Sequence, residues 1–394
     1  MIRTAVVSLF ATCTLKCGYC SIAETGQVLD GRQLQPYKDK DFVERAASFF
    51  NSRTTENEKW QLLFTGGEPL IAPNLDLLCR KLFDAGNRVA FYTSLHVGPN
   101  HAGWKLLLNS AYPEVDYIMA SLHPEAEQWE DVFFDRVAAL KARGHKVFVR
   151  FVGHPKRLHR LDELAEKCRA LDVCFFPTAL LSKNFPKAYS PSEIALLKGH
   201  FSSLTQYIQL EGGIDTSNVT CYAGDRIIAV DLLSGNVLPC ITVPGPVIGN
   251  VHKDELSLIH GPVSCPQKGI NCLCDIHYEQ DILVGAEDQL HFARQKEGFV
   301  PPFRRQDVDP LAEMRASGIR FYANAKLNAA KNTDDEHLVF AKEYVASNYR
   351  RNVLGILDEQ EIGAHMSTAV LSVAKHTILD RAKEYGRRLF RRQK

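Results

Sequence analysis

Cys13-Thr14-Leu15-Lys16-Cys17-Gly18-Tyr19-Cys20 sets three thiols in one short stretch near the start of the chain. Thiolates spaced by three and then two residues can curl around a single iron–sulfur cube, each binding a different iron. A structural zinc site closes with four ligands, and no fourth cysteine lies close by. Three ligands leave one iron open to bind something else. A second group follows much later, at Cys221, Cys240, Cys265, Cys272 and Cys274. Between its first two members lies Ser234-Gly235-Asn236, a turn signal that would fold Cys240 back beside Cys221. Five thiolates complete one four-cysteine cluster and leave one spare. Four of them would serve a zinc ion equally well, and the spacing does not say which is spare. Cys79, Cys168 and Cys174 fall within helix and strand patterns and read as core packing.

The composition narrows the class. The 394-residue chain is 45% apolar, enough for one large core or a core with a smaller appendage. Its net charge of +1 gives no overall field for nucleic acid, so none is expected as a partner. Eleven cysteines in a long mixed chain do not describe a small secreted disulfide scaffold. Grouped as they are, they read as metal ligands in a reducing, cytoplasmic setting. Ala5–Ala11 resembles the apolar part of a signal peptide, but no small-residue cleavage pattern follows and a buried first strand fits better. No apolar run reaches the ~18 residues of a membrane span.

The elements that must position the first cysteines come in alternation. Ala5–Phe10, Gln61–Phe64, Val89–Tyr92, Tyr117–Ala120, Val147–Val152 and Val173–Phe176 are short apolar runs suited to strands buried on both faces. Asp41–Phe50, Asn74–Ala85, Trp104–Ala111, Trp129–Arg143 and Leu161–Leu171 read as the helices between them, with Gly86 and Gly144 as C-caps. This pattern predicts an α/β fold, a parallel sheet with right-handed crossovers forming a partial (β/α)6 TIM-like barrel. Ser190–Tyr207 reads as a further helix, and Ile227–Leu233 and Val237–Cys240 as a hairpin. The organisation expected is a core over 1–210, a small cysteine-rich auxiliary domain over 211–285 that needs a metal to stand, and a helical C-terminal extension over 286–394.

The spacing C-x3-C-x2-C with Tyr19 before the last cysteine resembles the radical S-adenosylmethionine (SAM) superfamily. Thr65-Gly66-Gly67-Glu68-Pro69, at the end of the second strand, is similar to that superfamily's GGEP motif. The resemblance covers roughly residues 4–181. It implies an enzyme in which a [4Fe–4S] cluster on Cys13, Cys17 and Cys20 chelates SAM and cleaves it to methionine and a 5′-deoxyadenosyl radical, which removes a hydrogen atom from substrate. It also implies that Tyr19, Gly66, Gly67, Glu68 and Pro69 surround the cofactor, and that Ser94, Ser121 and Arg150 bind its ribose and carboxylate. Arg150 has the bidentate geometry for a carboxylate, though pairing with an acidic side chain is the plainer use. Thr93, His96 and His154 lie at strand ends as weaker candidates. In Ser121-Leu122-His123-Pro124-Glu125, His123 and Glu125 are catalytic candidates facing substrate; Glu125 fits equally at the start of the next helix.

The C-x13-G-x4-C arrangement of Cys221, Gly235 and Cys240 resembles the SPASM and twitch extensions of the same superfamily. The short cysteine series favours the twitch-like form with one auxiliary [4Fe–4S] cluster. The C-x-C pair at Cys272 and Cys274 departs from that pattern. Relatives with such extensions oxidise small alcohols or sugars or modify peptide side chains, so a small-molecule or sugar-containing substrate is expected here, with peptide modification as the alternative. An oxidoreductase-like outcome is weighed against an epimerase-like, redox-neutral one. A non-catalytic iron–sulfur scaffold or sensor would not need the Gly66–Pro69 motif. The resemblance also implies a flavodoxin-type reductase as electron donor.

The last stretch carries Arg381, Lys383, Arg387, Arg388, Arg391, Arg392 and Lys394 against the single acid Glu384, with Ile378, Ala382, Tyr385 and Leu389 at helical spacing. It is expected to bind an anionic membrane surface or an acidic partner chain, at about 1 kcal/mol per basic residue near a membrane. The plainer alternative packs the narrow stripe on its own domain. Deleting 381–394 is expected to abolish low-salt co-sedimentation with anionic liposomes. Full-length protein that ignores such liposomes at low salt rules the membrane version out.

Overall fold

The computed structural model describes residues 2–20, 31–109, 112–181, 185, 187–201, 206, 209–210, 213–217, 219–242, 245–265, 271–272 and 283–284. Six strands, β1 (Ile2–Ser8), β2 (Lys59–Thr65), β3 (Arg88–Thr93), β4 (Val115–Leu122), β5 (Val147–Gly153) and β6 (Cys174–Ala179), lie parallel in sequence order. Their middles are buried on both faces, as their unbroken apolar runs require. The crossovers run through α1 (Lys40–Asn51), α2 (Leu75–Asp84), α3 (Ala102–Asn109), α4 (Glu130–Ala142) and α5 (Leu161–Ala170). This is the expected open, partial (β/α)6 barrel.

The crossover helices end where the sequence says they should. After α2, Gly86 takes φ +77° and gives its N–H to Phe83, while Asn87 gives its own to Leu82. After α4, Gly144 and His145 repeat the arrangement onto Lys141 and Leu140. Both are Schellman caps. The same pair of bonds closes α5, but there Asp172, at φ +52°, stands in the glycine position. Lys141 Nζ bonds the Asp172 carboxylate at 2.8 Å and its carbonyl at 2.7 Å, holding the turn from outside.

Two expectations change. The helix read over Ser190–Tyr207 is interrupted: α6 runs from Pro191 to Lys198, opened by a capping box between Ser190 and Glu193 and capped by Gly199, and Gln206 is helical again beyond the break. The apolar pattern continues past Gly199, but glycine is a poor helix former and the chain turns there. The second change concerns the late hairpin. It forms as β9 (Ile227–Asp231) and β10 (Asn236–Leu238), after the short strands β7 (Ile214–Asp215) and β8 (Thr220–Cys221). However, β9 also pairs with β1 in parallel, Thr4 beside Ile227 and Ser8 beside Asp231. With β11 (Gly249–Asn250) and β12 (Glu255–Leu256) the core sheet reaches ten strands, ordered β12-β11-β10-β9-β1-β2-β3-β4-β5-β6. The first strand is therefore internal to the sheet, and the sheet continues across residue 210.

Arg3 fastens this junction, bonding the Asp225 carbonyl at 3.1 Å and Glu58 Oε2 at 2.6 Å. The rest of the late segment forms two small sheets, in which β8 lies between β13 (Val263–Ser264) and β15 (Leu283–Val284), and β14 (Asn271–Cys272) pairs with β7. Cys274, the 286–394 extension and its basic tail lie outside the described residues. Among the described residues no helix is long and apolar enough to cross a membrane.

Asn87, fully buried, ties three of these elements together. Its Oδ1 accepts the Trp60 N–H of β2 at 3.0 Å and the Thr54 hydroxyl at 2.8 Å, and its Nδ2 bonds Asn51 Oδ1 at the end of α1. Asn87→Ala leaves the buried Trp60 N–H without a partner. The expected loss of about 2 kcal/mol is to be read from urea unfolding of the variant against the parent protein.

Candidate metal centre at the strand ends

The first cysteine group sits directly beyond the C-terminal end of β1, beside the loop that leaves β2. Ligand sites in parallel α/β folds gather at this end of the sheet. The two loops are bonded to each other through backbone: Gly67 N–H to the Phe10 carbonyl at 2.6 Å and Glu68 N–H to the Thr12 carbonyl at 3.0 Å. A Cβ on Gly67 would lie 1.8 Å from the Thr12 oxygen, and one on Gly66 would lie 2.4 Å from the Phe10 oxygen. Gly66 also takes φ +117°, open only to glycine. Both glycines are thus required by the close approach of the cysteine loop. Pro69 opens the short turn Pro69–Ile71 that leads away from it.

Glu68 is fully buried, and its carboxylate accepts four hydrogen bonds from the protein. Oε1 takes the Leu70 N–H at 3.1 Å and the Thr93 hydroxyl at 2.6 Å; Oε2 takes the Ser94 N–H at 2.8 Å and its hydroxyl at 2.6 Å. Burial raises its pKa, and these donors offset only part of that rise. The side chain therefore joins the end of β2 to the end of β3. Ser94 is also spoken for, since its hydroxyl accepts the His96 N–H at 3.2 Å as well. The turn continues through Leu95 at φ +56°, a left-handed conformation unusual for a bulky side chain. Thr93 Oγ1 accepts the Leu95 N–H at 2.9 Å, and Arg136 bonds the Leu95 carbonyl.

The cysteines themselves are half-buried. Burial raises the pKa of the Cys13 thiol, with Glu68 and Cys20 adding to it, and burial raises that of Cys17 too, with Glu125 and Cys13 adding. Three thiols on one short loop, with Cys13 and Cys17 resisting ionisation in the metal-free protein, are a donor set suited to a multinuclear cation, whose charge stabilises thiolates. The residues present fit an iron–sulfur cube with one open iron. Supports for this loop escaped the sequence reading. Gln33 Oε1 accepts the N–H groups of Ala11 at 2.8 Å and Thr12 at 3.2 Å, and the buried Tyr37 hydroxyl bonds the Leu9 carbonyl at 2.5 Å. They lie in short turns, without a periodic pattern to mark them.

His123 and Glu125 turn toward the cysteine loop. His123 Nδ1 lies 3.0 Å from the Tyr19 hydroxyl and 3.7 Å from Cys17 Sγ, and Glu125 Oε2 accepts the Tyr19 hydroxyl at 3.0 Å. Tyr19 is also stacked on the His123 ring, centroids 6.3 Å apart. Ser121 and Arg150 are register partners on β4 and β5 and so project from the same face of the sheet. Arg150 Nε bonds Thr178 Oγ1 at 3.3 Å.

The late cysteines are spread over the small sheets. Cys221 is buried in β8 opposite Val263, and Cys265 follows β13 directly; Cys272 ends β14 opposite Ile214. Cys240 follows β10, its Sγ 3.1 Å from Thr242 Oγ1 and accepting the Thr242 N–H at 3.4 Å. Gly235 makes the hairpin turn at φ +75°, against Asn250 and His252.

No protein-family model matches the sequence. Among solved structures, Streptococcus suis SuiB is similar at 18% identity with a TM-score of 0.44, over 64% of this chain and 63% of that one. The chain thus spans about 63% of the length of SuiB. Native anSMEcpe with bound AdoMet and Kp18Cys peptide is similar at 12% identity and a TM-score of 0.45, over 64% of this chain and 78% of that one. The complex of anSMEcpe with AdoMet and Cp18Cys peptide aligns over 90% of this chain and 98% of that one, at 11% identity and a TM-score of 0.45.

Gly67→Ala removes no ligand, yet its methyl group has no room against the Thr12 carbonyl. The variant is expected to fold and to lose iron from the first cysteine group, seen as a fall in iron per chain after anaerobic reconstitution.

Proposed function

We propose that this chain is a radical SAM enzyme in which Cys13, Cys17 and Cys20 hold the catalytic [4Fe–4S] cluster. The observation that carries the reading is the mutual locking of the three-cysteine loop and Gly66-Gly67-Glu68-Pro69 at the ends of two adjacent parallel strands. A structural metal site has no need of the second loop. When bound, the cluster supplies the electron that cleaves SAM and so generates a radical able to take a hydrogen atom from a substrate C–H bond.

The protein's own part is to position and enclose. With the Glu68 carboxylate and the Ser94 hydroxyl already engaged within the protein, contacts to the cofactor in this loop fall to backbone groups near Gly66 and Gly67. Ser121 and Arg150 supply polar groups on one face, and the guanidinium is suited to a carboxylate. Hydrogen transfer needs the reacting carbons within van der Waals reach, so this end of the sheet has to be covered against water. The late segment, joined to β1 through β9, is our candidate for that cover. Four of Cys221, Cys240, Cys265, Cys272 and Cys274 are the ligand set for one auxiliary [4Fe–4S] cluster, with one to spare.

The substrate is a small or sugar-containing molecule, the class the sequence favours, or a peptide side chain. SuiB bound to its precursor peptide SuiA and anSMEcpe bound to Kp18Cys peptide put peptides beside small molecules as substrates to try.

Anaerobic incubation with SAM and a chemical reductant, following 5′-deoxyadenosine, tests the reading. Reconstituted protein is expected to hold about eight irons in two clusters. Changing Cys13, Cys17 and Cys20 together to Ala should leave about four irons and abolish 5′-deoxyadenosine formation. Cleavage at an unchanged rate in that variant sinks the assignment, whereas zinc at the late cysteines removes only the auxiliary cluster. Candidate molecules and peptides are then compared by the 5′-deoxyadenosine they elicit and by whether the product is oxidised or isomeric.

A further inference from the structure

The polar groups beside Cys17 form a chain in which the ionised Glu125 carboxylate sets the direction of the bonds. Tyr19 has one hydroxyl proton and, besides the Cys17 sulfur, two polar neighbours each 3.0 Å away, Glu125 Oε2 and His123 Nδ1. A carboxylate only accepts, so the tyrosine proton goes to Glu125. The contact between Tyr19 and Nδ1 then has to be donated by Nδ1. A ring nitrogen that donates carries a proton whether or not the other nitrogen is protonated too. A neutral ring carries one N–H, and the bond made by one nitrogen decides the tautomer. That N–H therefore sits on Nδ1, the nitrogen 3.7 Å from Cys17 Sγ.

Resting on the function proposed above, we infer that the Nδ1–H of His123, held in place by Tyr19 and Glu125, is shared with the Cys17 thiolate and sets the reduction potential of the cluster bound there. Hydrogen bonds to the sulfurs are among the factors that set iron–sulfur potentials. Partners beyond the ligands also orient the ligands and tune the metal. A donor facing sulfur favours the reduced, more negative state, so the bond raises the potential. His123 and Glu125 then serve the cluster rather than the substrate.

The test is a redox titration of full-length reconstituted protein without SAM, the first cluster followed by electron paramagnetic resonance. His123→Leu is expected to shift the reduced-to-oxidised ratio about tenfold toward the oxidised form, a midpoint about 59 mV lower for one electron. His123→Asn returns an amide N–H to this side of the residue and is expected to recover most of that shift; a purely steric role would show no such recovery. An unchanged midpoint in His123→Leu at full iron content overturns the inference. Parent protein that takes up no iron at the first cysteines sinks the functional reading instead, and metal analysis tells the two apart. If His123→Leu cannot hold iron, nitrogen-15 resonances of His123 in the metal-free parent protein decide: protonation at Nδ1 supports the inference, and protonation at Nε2 overturns it.

Discussion

Two carbonyl groups, those of Phe10 and Thr12, press so closely on residues 66 and 67 that no side chain fits between them. Everything at this end of the sheet follows from that contact. It brings the turn after β2 onto the loop after β1 and leaves the backbone of both exposed to whatever lies beyond. Glycine at these positions answers to an intramolecular demand before it answers to any ligand. The usual argument, that glycines let a ligand approach the backbone, is incomplete for this pair.

Glu68 extends the same constraint to a third strand. A buried carboxylate with four donors is held rigidly, since rotating it would strand several buried groups at once. The ends of β1, β2 and β3 therefore behave as one unit. The left-handed Leu95 sits in this unit, with bonds to both its N–H and its carbonyl. Strained backbone of this kind persists where its surroundings over-determine it. On the other side, Tyr19 ties the cysteine loop to the loop after β4 through His123 and Glu125.

The six core strands were legible in the sequence because each is a short apolar run between amphipathic helices with glycine at their ends. The two loops carrying the candidate site were legible because residue type and spacing are enough to mark them. The direction in which His123 and Glu125 point was not, since one step of twist in a loop decides between substrate and cysteines. The partners of Glu68 were equally hidden: Thr93 and Ser94 are polar residues at a strand end, and nothing local says which acid they serve. The hairpin at 227–238 was visible from its turn, but its pairing with β1 was not. Ile227-Ile228-Ala229-Val230 reads as any buried strand does, and its partner lies at the other end of the described chain. Long-range pairing leaves no mark in local pattern.

That pairing has a consequence for how the protein is made. β1 is flanked by β2 and by β9, and the stretch between residues 65 and 227 has to be synthesised after the one before the other can form. At roughly 5–20 residues per second this takes on the order of ten seconds or more. During that interval the strand leading into Cys13, Cys17 and Cys20 has one edge without a neighbour, and unpaired edges invite association with other chains. The same open edge leaves the three thiols beside unfinished structure while the nascent chain is still on the ribosome. Chaperone capture and metal delivery would both meet the protein in this window, before the closing strand has emerged.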